Sequence, residues 1–131
     1  MTNENLIYIP VSLGELVDKI TVLEIKLRYI TEESKRRNVV KELELLQNEL
    51  GKVRLTHTDT FFSLKQKLAS INDEIWKVIE QQNAISERED TTSLRAALGT
   101  AASIKNNERT RIKKEINLSF GSAIIEEKSF Q

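Results

Sequence analysis

A chain of 131 residues with 39% hydrophobic and 31% charged side chains, one proline and four glycines has the length of one domain, enough to bury about two thirds of its unfolded surface. That composition suits a helix-rich protein and excludes a disordered chain or a turn-rich β-sandwich. Twenty basic and twenty acidic residues cancel and no cysteine is present, so there is no overall field toward nucleic acid or a membrane, no disulfide or thiolate chemistry, and an expected cytoplasmic location.

The polar leader, residues 1–11, lacks the basic region and apolar run of a signal peptide, and no stretch reaches the ~18 apolar residues of a membrane span. Its apolar patch Leu6, Ile7, Tyr8 and Ile9 is expected to drape over the fold rather than pair as a strand. The first helix, Ser12 to Ile30, is the centre of the chain. Ser12 and Glu15 form a capping box just after Pro10, with each side chain expected to serve the other's backbone. Leu13, Leu16, Val17, Ile20, Leu23, Leu27 and Ile30 line one face at spacings of three and four. A second stripe, Val22, Ile25 and Tyr29, lies opposite, so this helix is expected between neighbours, with one face meeting another chain. Glu15/Lys19 and Glu24/Arg28 are candidate pairs worth about 0.2–0.5 kcal/mol each.

After a turn at Thr31–Ser34, Val39, Leu43, Leu46, Leu50 and Val53 mark a second amphipathic helix, antiparallel to the first because the connection is short. Lys35, Arg36 and Arg37 at its start oppose the helix dipole, so Glu32 and Glu33 or an anion must compensate. Gly51 to Asp59 reads as a loop and holds the only histidine, His57. From Thr60, Phe61, Leu64, Leu68, Ile71, Ile75, Val78, Gln82 and Ile85 form a heptad seam. The last helix runs from Ser93 to Phe120, with caps offered at Asp90 to Ser93, a small-residue first half around Gly99, and Gly121 as a left-handed stop. The long pair, 60–89 and 93–120, would reach ~40–45 Å against ~27 Å for the first two helices. A compact domain of this size has a radius of gyration of ~14 Å, so the overhang, the seam and the second stripe predict a helical homodimer, or a kink near Gly99. The fold class is therefore all-α, an antiparallel bundle of two helical hairpins, one long, in a single domain over 1–131.

Four scattered glycines offer no phosphate loop or dinucleotide fingerprint, and no serine sits in G-x-S-x-G. His57 alone does not make a triad or a histidine metal site. Glu15 and Asp18, at i and i+3, place two carboxylates on one helix face, a geometry that can hold Mg²⁺. Helical nucleotide pyrophosphohydrolases pair such an E-x-x-D with an E-x-x-E, which this chain lacks. Lys105, Arg109 and Lys113, with Asn106, Asn107 and Asn117 beside them, form a basic arc suited to a small anionic molecule or a carboxylate-bearing protein partner.

Three blocks, IPVSLGELVDKITVLEIKLRYI, INDEIWKVIE, and NNERTRIKKEIN with GSAIIEEKSF, together resemble a family of small all-helical bacterial and phage proteins without an established activity. The family's usual Asn-Asp-x-Arg stands here as Asn107-Glu108-Arg109. Members look linked with sugar-transfer and cell-surface polysaccharide proteins. Carried onto this chain, the resemblance implies a constellation of Glu15, Asp18 and Lys19 with Asn72, Trp76 and Glu80 and with Asn107, Arg109, Lys113 and Asn117. Such a set would be either a buried polar network that fixes helix register or a ligand pocket. The expected function is a non-catalytic helical interaction or ligand-binding module. The alternative is a Mg-dependent, pyrophosphohydrolase-like enzyme.

Overall fold

The computed structural model describes residues 5–85 and 92–127. Four helices follow in order, α1 Leu13–Tyr29, α2 Glu33–Gly51, α3 Thr58–Ala84 and α4 Thr92–Ser119, and no strand occurs among the described residues. None of these helices is long and apolar enough to cross a membrane. The third helix ends at Ala84 rather than running to 89, and α4 is unbroken through Gly99. Asp90 and Thr91, offered as caps, lie outside the described residues.

Helix α1 packs against all three others, α3 packs against α4, and α2 lies on α1 alone except for Leu50 at its end. The result is a three-helix unit of α1, α3 and α4 with α2 laid on the far side of α1. The apolar stripes explain this. Leu16, Ile20 and Leu23 meet Val39 and Leu43 in one core, while Leu13 and Val17 meet Phe61, Leu64, Leu68, Ile71 and Ile116 in another. Val17, Ile20, Leu68 and Ile116 have no exposed surface, and each such side chain is worth about 1.5–3 kcal/mol of burial. The heptad seam of α3 is spent inside the chain, buried at Phe61, Leu64, Leu68, Ile71 and Val78 and half-buried at Gln82 and Ile85.

The second stripe of α1 is partly covered from within the chain, Ile25 being 2% and Tyr29 38% exposed. Tyr29 stacks on Trp76 of α3 with ring centroids 5.5 Å apart and donates to Asp73 at 2.8 Å. Ile25 is buried one turn earlier, so this stripe gives no reason for a partner chain. Glu24 and Arg28 do not pair with each other but reach α3, at Lys65 (3.6 Å) and Asp73 (3.5 Å). The charge conflict at the start of α2 is resolved without an external anion. The guanidinium of Arg36 donates to the carbonyls of Leu27 and Ile30 at the end of α1, where the helix dipole is negative, and Lys35 pairs with Glu32.

His57 stands just before α3 with φ +54°, in the left-handed region, and its side chain makes no cap hydrogen bond. That conformation costs an L-residue roughly 1–2 kcal/mol, while glycine there costs less than ~1 kcal/mol in unfolded-chain entropy. His57→Gly is therefore expected to stabilise by roughly 0.5 kcal/mol, read as a higher urea midpoint at unchanged slope.

Candidate functional site

The polar side chains converge on the first two turns of α1, which are largely buried. Asp18 is 1% exposed and meets donors from two other helices. Asn72 on α3 donates to its Oδ1 at 2.9 Å, and Arg109 on α4 donates through Nε to Oδ1 at 2.9 Å and through Nη2 to Oδ2. Lys113 stands 3.9 Å from Oδ2. Asn72 also donates to Thr21 Oγ1 at 2.9 Å, and Thr21 donates to the Asp18 carbonyl at 2.8 Å. Burial pushes the Asp18 carboxyl up, but the hydrogen bonds of Arg109 and Asn72 and the charges of Arg109 and Lys113 outweigh it and hold the group below the ordinary carboxylate range. The same pairing raises Arg109 further.

One turn earlier, the Glu15 carboxylate receives Lys113 and lies 3.7 Å from Lys19. Here the expected capping box is half formed. Ser12 Oγ accepts from the Glu15 N–H at 3.0 Å, yet the Glu15 carboxylate turns to these cations. The other first-turn N–H groups are served from the end of the chain. Leu13 donates to Ser122 Oγ at 3.1 Å and Gly14 to Asn117 Oδ1 at 2.6 Å. Ser12 Oγ donates to the Glu126 carboxylate at 2.7 and 2.8 Å, and Asn117 Nδ2 donates to it at 3.3 Å. The negative charge of Glu126 thus sits where the α1 dipole is positive. Gly121, at φ +66°, is the turn that brings Ser122 and Glu126 back.

Of the expected constellation, Asn72, Arg109, Lys113 and Asn117 gather around Glu15 and Asp18. Trp76 lies one turn beyond Asn72 on α3, half-buried, its Nε1 buried without a hydrogen-bond partner among the described residues. Glu80 and Asn107 are exposed, and the carboxylate that holds Arg109 is Asp18 and not Glu80. Lys105 leaves the basic arc for Glu74 on α3, at 3.5 Å. The Mg²⁺ reading does not fit these residues. Asp18 and Glu15 are engaged by a guanidinium and an ammonium, and the one or two carboxylates that usually hold Mg²⁺ would have to give up those partners. Sequence reasoning missed Thr21, Ser122 and Glu126, while Asn106 was read as part of the basic arc. Asn106 accepts from Arg109 Nη1 at 3.2 Å.

Because α2 and α4 do not meet, α1 floors a cleft of about 170 Å³ between them. Val22 and Leu23 form its apolar base, Asp18 and Arg109 one wall and Glu42 of α2 the other, with Lys19 and Lys26 along its length. Lys26 makes no ion pair among the described residues, and Lys19 keeps 51% of its side chain exposed. Compared with protein-family models, curated proteins and solved structures, the chain matches none.

Proposed function

We propose that this protein is a non-catalytic helical binding module of the cell interior, which self-associates and takes a small anionic molecule in the cleft between α2 and α4. The observation that supports the anion is the distribution of spare donors. The oxygens of Glu15 and Asp18 are taken by Lys113 and Arg109 of α4 and by Asn72 of α3, so their charges are cancelled. Lys19 and Lys26 line the same cleft with N–H donors left over, and ammonium groups hold phosphate or carboxylate oxygens as charged donors. Paired acids are poor candidates for a base or nucleophile, since a general base must be open to its substrate's proton. This supports binding over catalysis.

Titration with inorganic phosphate and with pyrophosphate, followed by calorimetry, tests the reading. Saturable binding is expected, weakened at least tenfold (about 1.4 kcal/mol) by Lys19→Ala/Lys26→Ala and unchanged by Lys67→Ala, on the opposite side of α3. Absence of saturable binding, or binding indifferent to the Lys19/Lys26 pair, would refute it.

A further inference from the structure

The three most exposed large apolar side chains among the described residues lie in the leader, not in the long hairpin. Ile7, Tyr8 and Ile9 are 82%, 63% and 70% exposed. With Leu6 and Val11 they wall a groove of about 480 Å³ whose other side is Leu16 of α1 and Leu45 and Leu46 of α2. The exposed apolar residues of the hairpin, Phe62, Ile79, Leu94, Ile104 and Leu118, each fall short of the exposure of Ile7, Tyr8 and Ile9. Residues 6–9 run without helix or strand, and no backbone hydrogen bond among the described residues ties them down. An apolar groove beside a free extended backbone is matched by an occupant that brings both apolar side chains and unpaired N–H and C=O groups, namely another extended strand.

We infer that residues 7–9 pair antiparallel with the same residues of a second copy of this chain, across a two-fold axis at Tyr8. This rests on the proposed self-association and names its surface. Three features select a second copy. Residues 6–9, which run without turn or bend, are themselves such a segment, and antiparallel pairing of identical segments is self-complementary about a two-fold axis. Pro10 has no N–H, which ends the ladder at Ile9 and confines pairing to this stretch. The exposed portions of Leu6 to Val11 and Leu45 in each copy amount to most of the ~800 Å² per partner that a stable interface buries. With a side-chain period of two, Ile7 of one copy comes beside Ile9 of the other.

The chain has no cysteine, so a single introduced thiol reports its neighbour unambiguously. With Tyr8 on the axis, facing Cα atoms stand about 4.5–5.5 Å apart, within disulfide reach. Sedimentation of the full chain is expected to give twice the 15.0 kDa monomer mass. Tyr8→Cys is expected to form an interchain disulfide under mild oxidation, and Phe62→Cys, exposed on α3, is expected not to. Ile7→Lys/Ile9→Lys should raise the dimer dissociation constant at least 100-fold with unchanged helical circular dichroism, since both side chains are largely exposed in the single chain, and should keep its phosphate affinity. A monomeric wild type at high micromolar concentration would overturn both the pairing and the self-association. A dimer that survives Ile7→Lys/Ile9→Lys, or crosslinks Phe62→Cys as readily as Tyr8→Cys, would overturn the pairing alone. A monomeric wild type that captures an extended apolar peptide at residues 6–9 would also overturn it, assigning the groove to another protein.

Discussion

Arg109→Ala is expected to destabilise the protein by roughly 3–5 kcal/mol, because it leaves a buried carboxylate without its counter-charge. For a chain of this size that lowers the melting temperature by about 10 °C or more. The cost comes from Asp18, 1% exposed, rather than from lost packing of a partly exposed arginine. The Asp18→Ala/Arg109→Ala double variant should therefore lose clearly less than the sum of the single losses, and an apolar pair such as Asp18→Leu/Arg109→Met should come close to the wild type. Arg109→Lys should recover only part of the loss, since one ammonium cannot reproduce the two-point contact through Nε and Nη2. Additive single losses would remove the pair from the account. The same site sets an acid limit. Asp18 titrates lower in the folded chain than its ordinary ~3.9, as Arg109 and Asn72 hold the charged form against desolvation. Its contribution is thus complete above that ordinary value and drains away as pH falls through the folded one. Denaturant midpoints should fall in acid for the wild type, and that part of the decline should be missing in Asp18→Asn.

The elements were legible because the signals for them are local. Spacings of three and four marked the core faces of α1 and α3, and Gly121 announced the stop after α4. Which faces meet was not local. Val22, Ile25 and Tyr29 read as a face waiting for another chain because nothing in the sequence places Trp76 and Asp73 opposite them. The overhang of the long hairpin is real, but its seam is buried or half-buried within the chain. In the polar site, residue types on one helix face were recoverable, as with Asp18 and Glu15 or Arg109 and Lys113, but the pairing between faces was not. A carboxylate at i and i+3 reads equally as metal ligand or ion-pair partner until the cations across from it are known. Glu126 was invisible for the same reason, since its role as an acid at the α1 N-terminus exists only once the chain has turned at Gly121.

Gly14→Ala carries the second large effect, and there local propensity and packing point in opposite directions. Inside a helix, alanine is favoured over glycine by about 1 kcal/mol, so the sequence read alone predicts stabilisation. In the fold, a Cβ on Gly14 would stand 2.4 Å from the carbonyl oxygen of Lys113, with the Lys113 carbonyl carbon and Asn117 Oδ1 at 3.0 Å. Two of those atoms are backbone, so relief requires α4 to move away from α1. That movement would stretch the Gly14 N–H bond to Asn117 and the contacts of Lys113 with Glu15 and of Arg109 with Asp18, all on the same turns. Overpacking of this kind costs about 1–3 kcal/mol, occasionally more, and the strained polar contacts add to it. A net loss of roughly 2–4 kcal/mol is expected, against the gain that propensity offers. Gly99 is the internal control. It lies in the exposed half of α4 with nothing within 4 Å of the position a Cβ would take, so Gly99→Ala should stabilise by about 0.5–1 kcal/mol. Urea denaturation of the two variants should move the midpoint in opposite directions. Equal shifts, or a stabilised Gly14→Ala, would mean that α1 and α4 do not approach this closely.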